Sequence, residues 1–294
     1  MSAHRCGTIA LLGRPNTGKS TLLNRLAGER LGVVSPRPQT TRRAVRAIVH
    51  RPDCQYVFVD LPGTPALRAG PLARALERET AGGARDCDVV AFVVEPLRYG
   101  PAERWALSRA GEGQPIVAVV NKIDRVRPRL ALLPFLERLD REPRFAAIVP
   151  VSARTGENAD ELLRVLRELL PDAPPLYPPE ALTDRDERFF AAELVREKLF
   201  CTLGAELPYR CETLVDRFRQ EGELRRIAVT IWVERASQRP IVLGRGGERL
   251  KAMASAARRD LEALYGGRVY LEVWVKVRRG WTEDERAMRE LGYA

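Results

Sequence analysis

The sequence predicts an α/β domain built on a mainly parallel sheet, followed by a smaller α+β domain. Three observations lead there. Between residues 7 and 170, short β-branched runs alternate with helical patterns, the rhythm of a sheet covered by helices on both faces. A proline-rich stretch, PDAPPLYPPEALTD at 171–184, then stops every helical pattern, because proline lacks the N–H that a helix interior needs. Beyond it the order changes to one helix, two successive strands, two helices around a glycine turn and a last strand. A chain of 294 residues suits about two domains. The boundaries fall at 1–172, a linker at 173–184, and 185–294.

In the first domain, strands are expected at 8–12, 44–49, 56–61, 89–94, 116–120 and 147–151. Amphipathic stretches such as 21–27 and 130–139 lie between them, and 160–170 closes the series with leucines at helical spacing. In the second, 188–203 reads as a helix and 210–218 and 227–234 as strands. A short helix near Ser237 leads to a glycine turn, a long helix runs to Tyr265, and a strand at 268–277 precedes a helix from Thr282.

Composition narrows the class. The longest apolar strand-like run, Val89 to Val94, is fenced by Asp88 and Glu95, far short of the ~20 residues of a membrane span. The N-terminus, MSAHRCGTIALLG, carries no cleavable signal pattern. Five cysteines without CxxC spacing read as reduced and cytoplasmic, with neither a zinc site nor a disulfide framework. The net charge of +10 suggests a polyanionic partner. Residues 1–175 carry +8 of it and 176–294 only +2, so the second domain is no basic tail. Its charge is local: Arg239, Arg245, Arg249, Lys251, Arg258 and Arg259 stand against one acid, Glu248. A merely solvated surface is the competing explanation, since arginine is abundant throughout.

The chemistry begins at Gly13-Arg14-Pro15-Asn16-Thr17-Gly18-Lys19-Ser20, which matches G-x-x-x-x-G-K-[ST] between a strand and a helix. Backbone N–H groups of such a loop hold phosphate oxygens, a lysine placed as Lys19 neutralises the β and γ phosphates, and a hydroxyl placed as Ser20 ligates Mg²⁺. Thr21 opens the helix behind it. The base is chosen by Asn121-Lys122-Ile123-Asp124. A carboxylate at Asp124 accepts from guanine N1–H and its exocyclic amine together, whereas adenine offers an acceptor there. The Lys122 stem is expected to cover one face of the base. Val151-Ser152-Ala153 is expected to present an N–H to guanine O6. Asp60-Leu61-Pro62-Gly63 supplies a carboxylate for Mg²⁺, through water, and a Gly63 N–H for the γ-phosphate. In QTTRR, Thr40 or, by preference, Thr41 completes the metal shell. The ordered set predicts a GTP-binding domain that switches on the γ-phosphate. Thr64 and Pro65 follow the DxxG glycine where many GTPases place a water-orienting glutamine, so slow intrinsic turnover is expected.

Taken together, these strings resemble the Era-type GTPases of bacteria and organelles, over nearly the whole chain. GRPNTGKSTLLN, QTTRR, DLPG, NKID and VSA lie in front. TDRDERFFAAELVREKLF, ELPYRCE, SQRPIVLGRGGERLK, VYLEVWVKVRRGW and RAMRELGY follow, and are far more specific. The resemblance implies a C-terminal KH domain of type II, with Gly244-Arg245-Gly246-Gly247 as the turn that clamps about four single-stranded nucleotides. Arg239, Arg245, Arg249 and Lys251 would then meet RNA phosphates. It also implies binding of 16S-type ribosomal RNA near its 3′ end and a part in small-subunit assembly. A catalytic set of Lys19, Asn16 and Thr41 goes with it, Asn16 helping to hold K⁺. Two departures stand out. Thr64 replaces an apolar residue, and the segment after it lacks the family's histidine-lysine-proline pattern. Thr17 for a common valine matters little.

Two other readings compete. One is a GTP-dependent RNA-binding module with negligible turnover, suggested by Thr64. The other is a different assembly or tRNA-modification GTPase, against which the KH-like C-terminus and the lack of a second GKS motif argue. The expected protein is a cytoplasmic monomer whose charge permits weak peripheral contact with anionic lipid at the inner face of the membrane.

Overall fold

The computed structural model describes residues 4–32, 34, 41–63, 70–204, 206–291 and 293. The expected Thr40, Thr64 and Pro65 lie outside them. The chain forms two compact units, and the main division between them falls between Asp184 and Arg185.

The first unit is a six-stranded sheet of β1 (Arg5–Leu12), β2 (Val45–Arg51), β3 (Cys54–Asp60), β4 (Val89–Val94), β5 (Ile116–Val120) and β6 (Ala147–Pro150). Their spatial order is β2-β3-β1-β4-β5-β6, and of these six β2 alone runs antiparallel to its neighbour. The strands are apolar on both faces because helices cover both. Ala10, Leu12, Phe92, Val94 and Val120 pack with residues of α2 (Pro71–Arg85), α3 (Pro101–Leu107) and α4 (Leu133–Asp140). On the remaining helices, α1 (Lys19–Ala27) touches β2 and β3, and α5 (Ala159–Leu169) touches β6.

The proline-rich segment, expected as a linker, lies along this sheet. The amide of buried Gln55 accepts from the Leu176 and Tyr177 N–H groups at 2.8 and 3.0 Å, and donates to the Tyr177 carbonyl at 2.7 Å. The Ile48 N–H then donates to the Leu182 carbonyl at 2.9 Å, so the segment also covers edge strand β2. A covered edge cannot template pairing with another chain.

In the second unit, α6 (Glu187–Thr202) is capped by Asp186, whose carboxylate accepts from the Phe189 N–H at 2.8 Å. The hairpin β7 (Cys211–Glu221) and β8 (Leu224–Val233) is antiparallel, and β9 (Arg268–Val277) joins parallel to β8. A parallel neighbour requires a crossover. It is made by α7 (Arg239–Leu243), the glycine turn and α8 (Glu248–Tyr265). Val229, Ile231, Val242, Ala257 and Leu261 share the core with α6. The last helix, α9 (Glu285–Glu290), starts three residues later than expected because Asp284 caps it. Among the described residues, no helix is long and apolar enough to cross a membrane.

Candidate functional site

β1 feeds the loop 13–20, and α1 begins at Lys19. Two non-helical conformations shape the loop. Asn16 takes φ 66°, which asparagine tolerates better than most residues. Gly18 takes φ 96°, and a β-carbon there would stand 2.3 Å from Asn121 Nδ2. Glycine is therefore required on two independent grounds. Lys19 Nζ donates to the Gly13 and Arg14 carbonyls at 3.0 Å each. Burial pushes its ammonium down to about 8, against the pull of the Asp60 carboxylate.

Asp60, at the end of β3, is fully buried, and burial raises its carboxyl although Lys19, Ser20 and Thr41 oppose this. Its Oδ2 accepts from Ser20 Oγ at 2.5 Å and Thr41 Oγ1 at 3.4 Å, while the two hydroxyls lie 3.1 Å apart. Its Oδ1 is buried with no hydrogen-bond partner among the described residues. An all-oxygen cluster with an orphaned carboxylate oxygen fits a hard divalent cation. Gly63 lies against Pro15 and Lys19, within reach of the same phosphate loop.

Two of the residues expected around a base, Lys122 and Ala153, meet at one buried side chain, Asn121. Asn121 follows β5, donates to the Thr17 carbonyl at 2.9 Å, and accepts from the Lys122 and Ala153 N–H groups at 2.8 and 2.9 Å. It thereby ties three loops together. Asp124 accepts from Ser152 Oγ at 2.6 Å and from Arg154 Nε and Nη2 at 3.0 and 2.6 Å. Burial alone would raise its carboxyl; Ser152 and Arg154 outweigh that and hold it below the usual carboxylate range. The Ala153 N–H, expected to meet guanine O6, points at Asn121 Oδ1, so it must turn or be shared to reach a base. Lys122 Nζ bonds the Asn16 carbonyl and the Glu95 carboxylate.

Four groups around these loops are not anticipated from the sequence. Glu95 and Arg154 directly follow β4 and the VSA string, and that adjacency was a usable signal. The other two pairings had none. Arg14 binds Glu103 at 2.7 Å from 89 positions away, and Arg25 holds the Ala153 and Arg154 carbonyls at 3.1 and 2.7 Å.

In the second unit, Gly244, Gly246 and Gly247 all take positive φ (76°, 58° and 82°) between α7 and α8. A β-carbon at Gly244 would stand 2.7 Å from Arg249 Cβ. Among the described residues no atom lies within 4 Å of such a carbon at Gly246 or Gly247, so backbone there is open to a ligand. Arg239, Arg245 and Lys251 are exposed around the turn. Arg249 is exposed too, but its guanidinium donates to the Ile241 carbonyl and so staples α7 to α8.

Known proteins match both units. A family model described as 50S ribosome-binding GTPase matches residues 8–122, and a KH domain model matches 206–282. The chain is 44% identical to a GTPase Era of Chromobacterium violaceum, over 98% of this chain and 97% of that one. It is 43% identical to one of Stenotrophomonas maltophilia, over 99% and 98%. A crystal structure of a single-residue variant of Aquifex aeolicus Era bound to GDP.AlF4- superimposes with TM-score 0.94 at 32% identity, covering 99% of both chains. A structure of Era in complex with MgGDPNP and nucleotides 1506-1542 of 16S ribosomal RNA matches equally well, with TM-score 0.94, 32% identity and 99% of both chains. With a nucleotide loop, a KH turn and full-length relatives at this identity, the chain belongs to the Era family of GTPases, enzymes that hydrolyse GTP.

Proposed function

We propose that this GTPase binds small-subunit ribosomal RNA near its 3′ end and times a step of small-subunit assembly. One observation carries the reading: the match, at TM-score 0.94 over 99% of the chain, to an Era holding both a GTP analogue and a 16S fragment. Residues 13–21 cradle the phosphates, with Lys19 exchanging its two loop carbonyls for phosphate oxygens. Asp60, Ser20 and Thr41 hold Mg²⁺, which neutralises charge on the β and γ phosphates when bound. Leu61 and Pro62 deliver the Gly63 N–H toward the γ-phosphate. Asn121, Lys122, Asp124, Ser152 and Ala153 select guanine.

With the triphosphate bound, Thr41 and Gly63 are held; after hydrolysis they are released. That change alters how the KH turn, with Arg239, Arg245, Arg249 and Lys251, engages RNA. Turnover is slow for lack of a glutamine at Thr64, and K⁺ held with the help of Asn16 speeds it. Single-turnover rates equal in K⁺ and Na⁺ would remove the ion from the scheme. The protein acts as a cytoplasmic monomer, and its net charge of +10 allows only weak contact with anionic lipid. The decisive experiment is to crosslink and sequence the RNA retained in the GTP and GDP states. Enrichment of the 16S 3′ end in one nucleotide state is expected. Recovery of mainly tRNA, or of the same RNA in both states, overturns the reading.

A further inference from the structure

The three-stranded sheet of the second unit has a face that α6, α7 and α8 do not cover, closed at one end where the Tyr293 hydroxyl meets buried Glu212. Alternation along β8 turns Ile227, Val229, Ile231 and Val233 into the core, so Arg226, Ala228, Thr230 and Trp232 point the other way. On β9, buried Val269 and Val275 fix the same choice, and Tyr270, Glu272, Trp274 and Lys276 point outward. A bulge between Val215 and Arg217 shifts β7, so that Arg217 and Arg219 join this face opposite Ala228 and Arg226.

Two large rings stand in solvent there. Tyr270 is 48% exposed and Trp274 57%. The other outward tryptophan, Trp232, is already capped by the Arg278 guanidinium at 4.2 Å, and Arg226 lies over Tyr270 at 5.3 Å. Among the described residues Trp274 has neither a ring partner nor a cation over it, and its indole makes no hydrogen bond. Arg217 and Arg219 make no ion pair among the described residues either, and Lys276 is 64% exposed with Asp216 only at 4.0 Å. The acids on the face are engaged: Asp216 accepts from Thr230 Oγ1 at 2.5 Å and Glu272 from the Tyr270 hydroxyl at 3.2 Å. Open rings beside unpaired cations on a strand surface suit unpaired bases, whose faces stack and whose phosphates meet the charges. The aliphatic residues turned this way, Leu214 and Ala228, are half-buried, so the open surface is made of rings and cations.

We infer that the open face of the β7-β8-β9 sheet is a second contact for single-stranded RNA, with a base stacked on Trp274 and phosphates near Arg217, Arg219 and Lys276. It rests on the RNA reading above and extends it, because RNA leaving the glycine turn gains a further hold. The test is equilibrium binding of the full chain to two unstructured RNAs, one of about four nucleotides that fills only the glycine turn and one of about 16. Trp274→Ala is expected to weaken the long RNA about 10-fold, the loss of one stacked base, and to leave the short one unchanged. Trp274→Phe keeps a ring and is expected to restore most of the affinity. Equal loss on both lengths, or no loss on the long one, overturns the inference. A wild type that binds neither RNA overturns the RNA reading with it, whereas one that binds both while Trp274→Ala is indistinguishable overturns this contact alone.

Discussion

Changing Asp124 to Asn separates a recognition role from a structural one. Its carboxylate accepts from Ser152 and Arg154 and, in the proposed complex, from two guanine donors. Hydrogen bonds to a charged group contribute ~1.5–3 kcal/mol each, so losing both guanine contacts costs ~3–6 kcal/mol. At ~1.4 kcal/mol per tenfold, GDP affinity falls by about 10²–10⁴. Xanthine carries an acceptor where guanine has its amine, so the variant gains xanthosine nucleotides as guanosine ones are lost. Stability should barely move. The Arg154 side chain is 71% exposed, which limits its ion pair to under ~1 kcal/mol, and Ser152 can still donate to the amide oxygen. The melting temperature should therefore fall by less than ~4 °C. Competition between GDP and XDP for a fluorescent nucleotide reads the first effect, and a thermal melt the second. A GDP affinity within threefold of wild type would refute the base assignment, and a melt lowered by ~8 °C or more would make Asp124 a structural residue instead.

The remaining expectations concern other links. Gln55→Leu strips the proline segment of its three hydrogen bonds to Gln55 and should destabilise the first unit by ~2–4 kcal/mol in urea titrations; a change within the error of the titration means water replaces those bonds. For Glu103, burial raises the carboxyl, but Arg14 and the Gly100 N–H outweigh it and hold it low. A carboxyl depressed in the folded state contributes stability above its unfolded pKa and loses it as pH falls through the folded one. Glu103→Gln should thus be less stable than wild type at pH 7 by ~1–2 kcal/mol, with the gap closing below about pH 4; a pH-independent gap removes the charge from the explanation. Gly246→Asp sets a carboxylate where RNA phosphates are proposed, in open space at φ 58°. It should weaken RNA binding and leave GTP binding alone, and equal RNA affinity in a filter assay removes the clamp.

Much was legible from the chain alone because the information is local. The alternation of Val89–Val94 and Ile116–Val120 with helical stretches dictated a parallel sheet. GRPNTGKS between strand and helix dictated a phosphate loop, and RVYLEVWVKV was read as β9 residue for residue. Backbone conformation follows from near neighbours, and these motifs work largely through backbone groups placed at fixed spacing.

Tertiary structure decided what depends on distant side chains meeting. Nothing in the order of residues says that Arg14 will find Glu103, that Arg25 will hold the Ala153 carbonyl, or that the proline segment will lie on Gln55. Nor does alternation alone tell which outward ring of the sheet stays bare; among the described residues, that follows from Arg278 reaching Trp232, Arg226 reaching Tyr270 and no cation reaching Trp274. The order of residues determines which groups a chain carries and how its backbone turns. Which of those groups are satisfied, and which remain open to a partner, is settled only when the packed chain brings their neighbours to them.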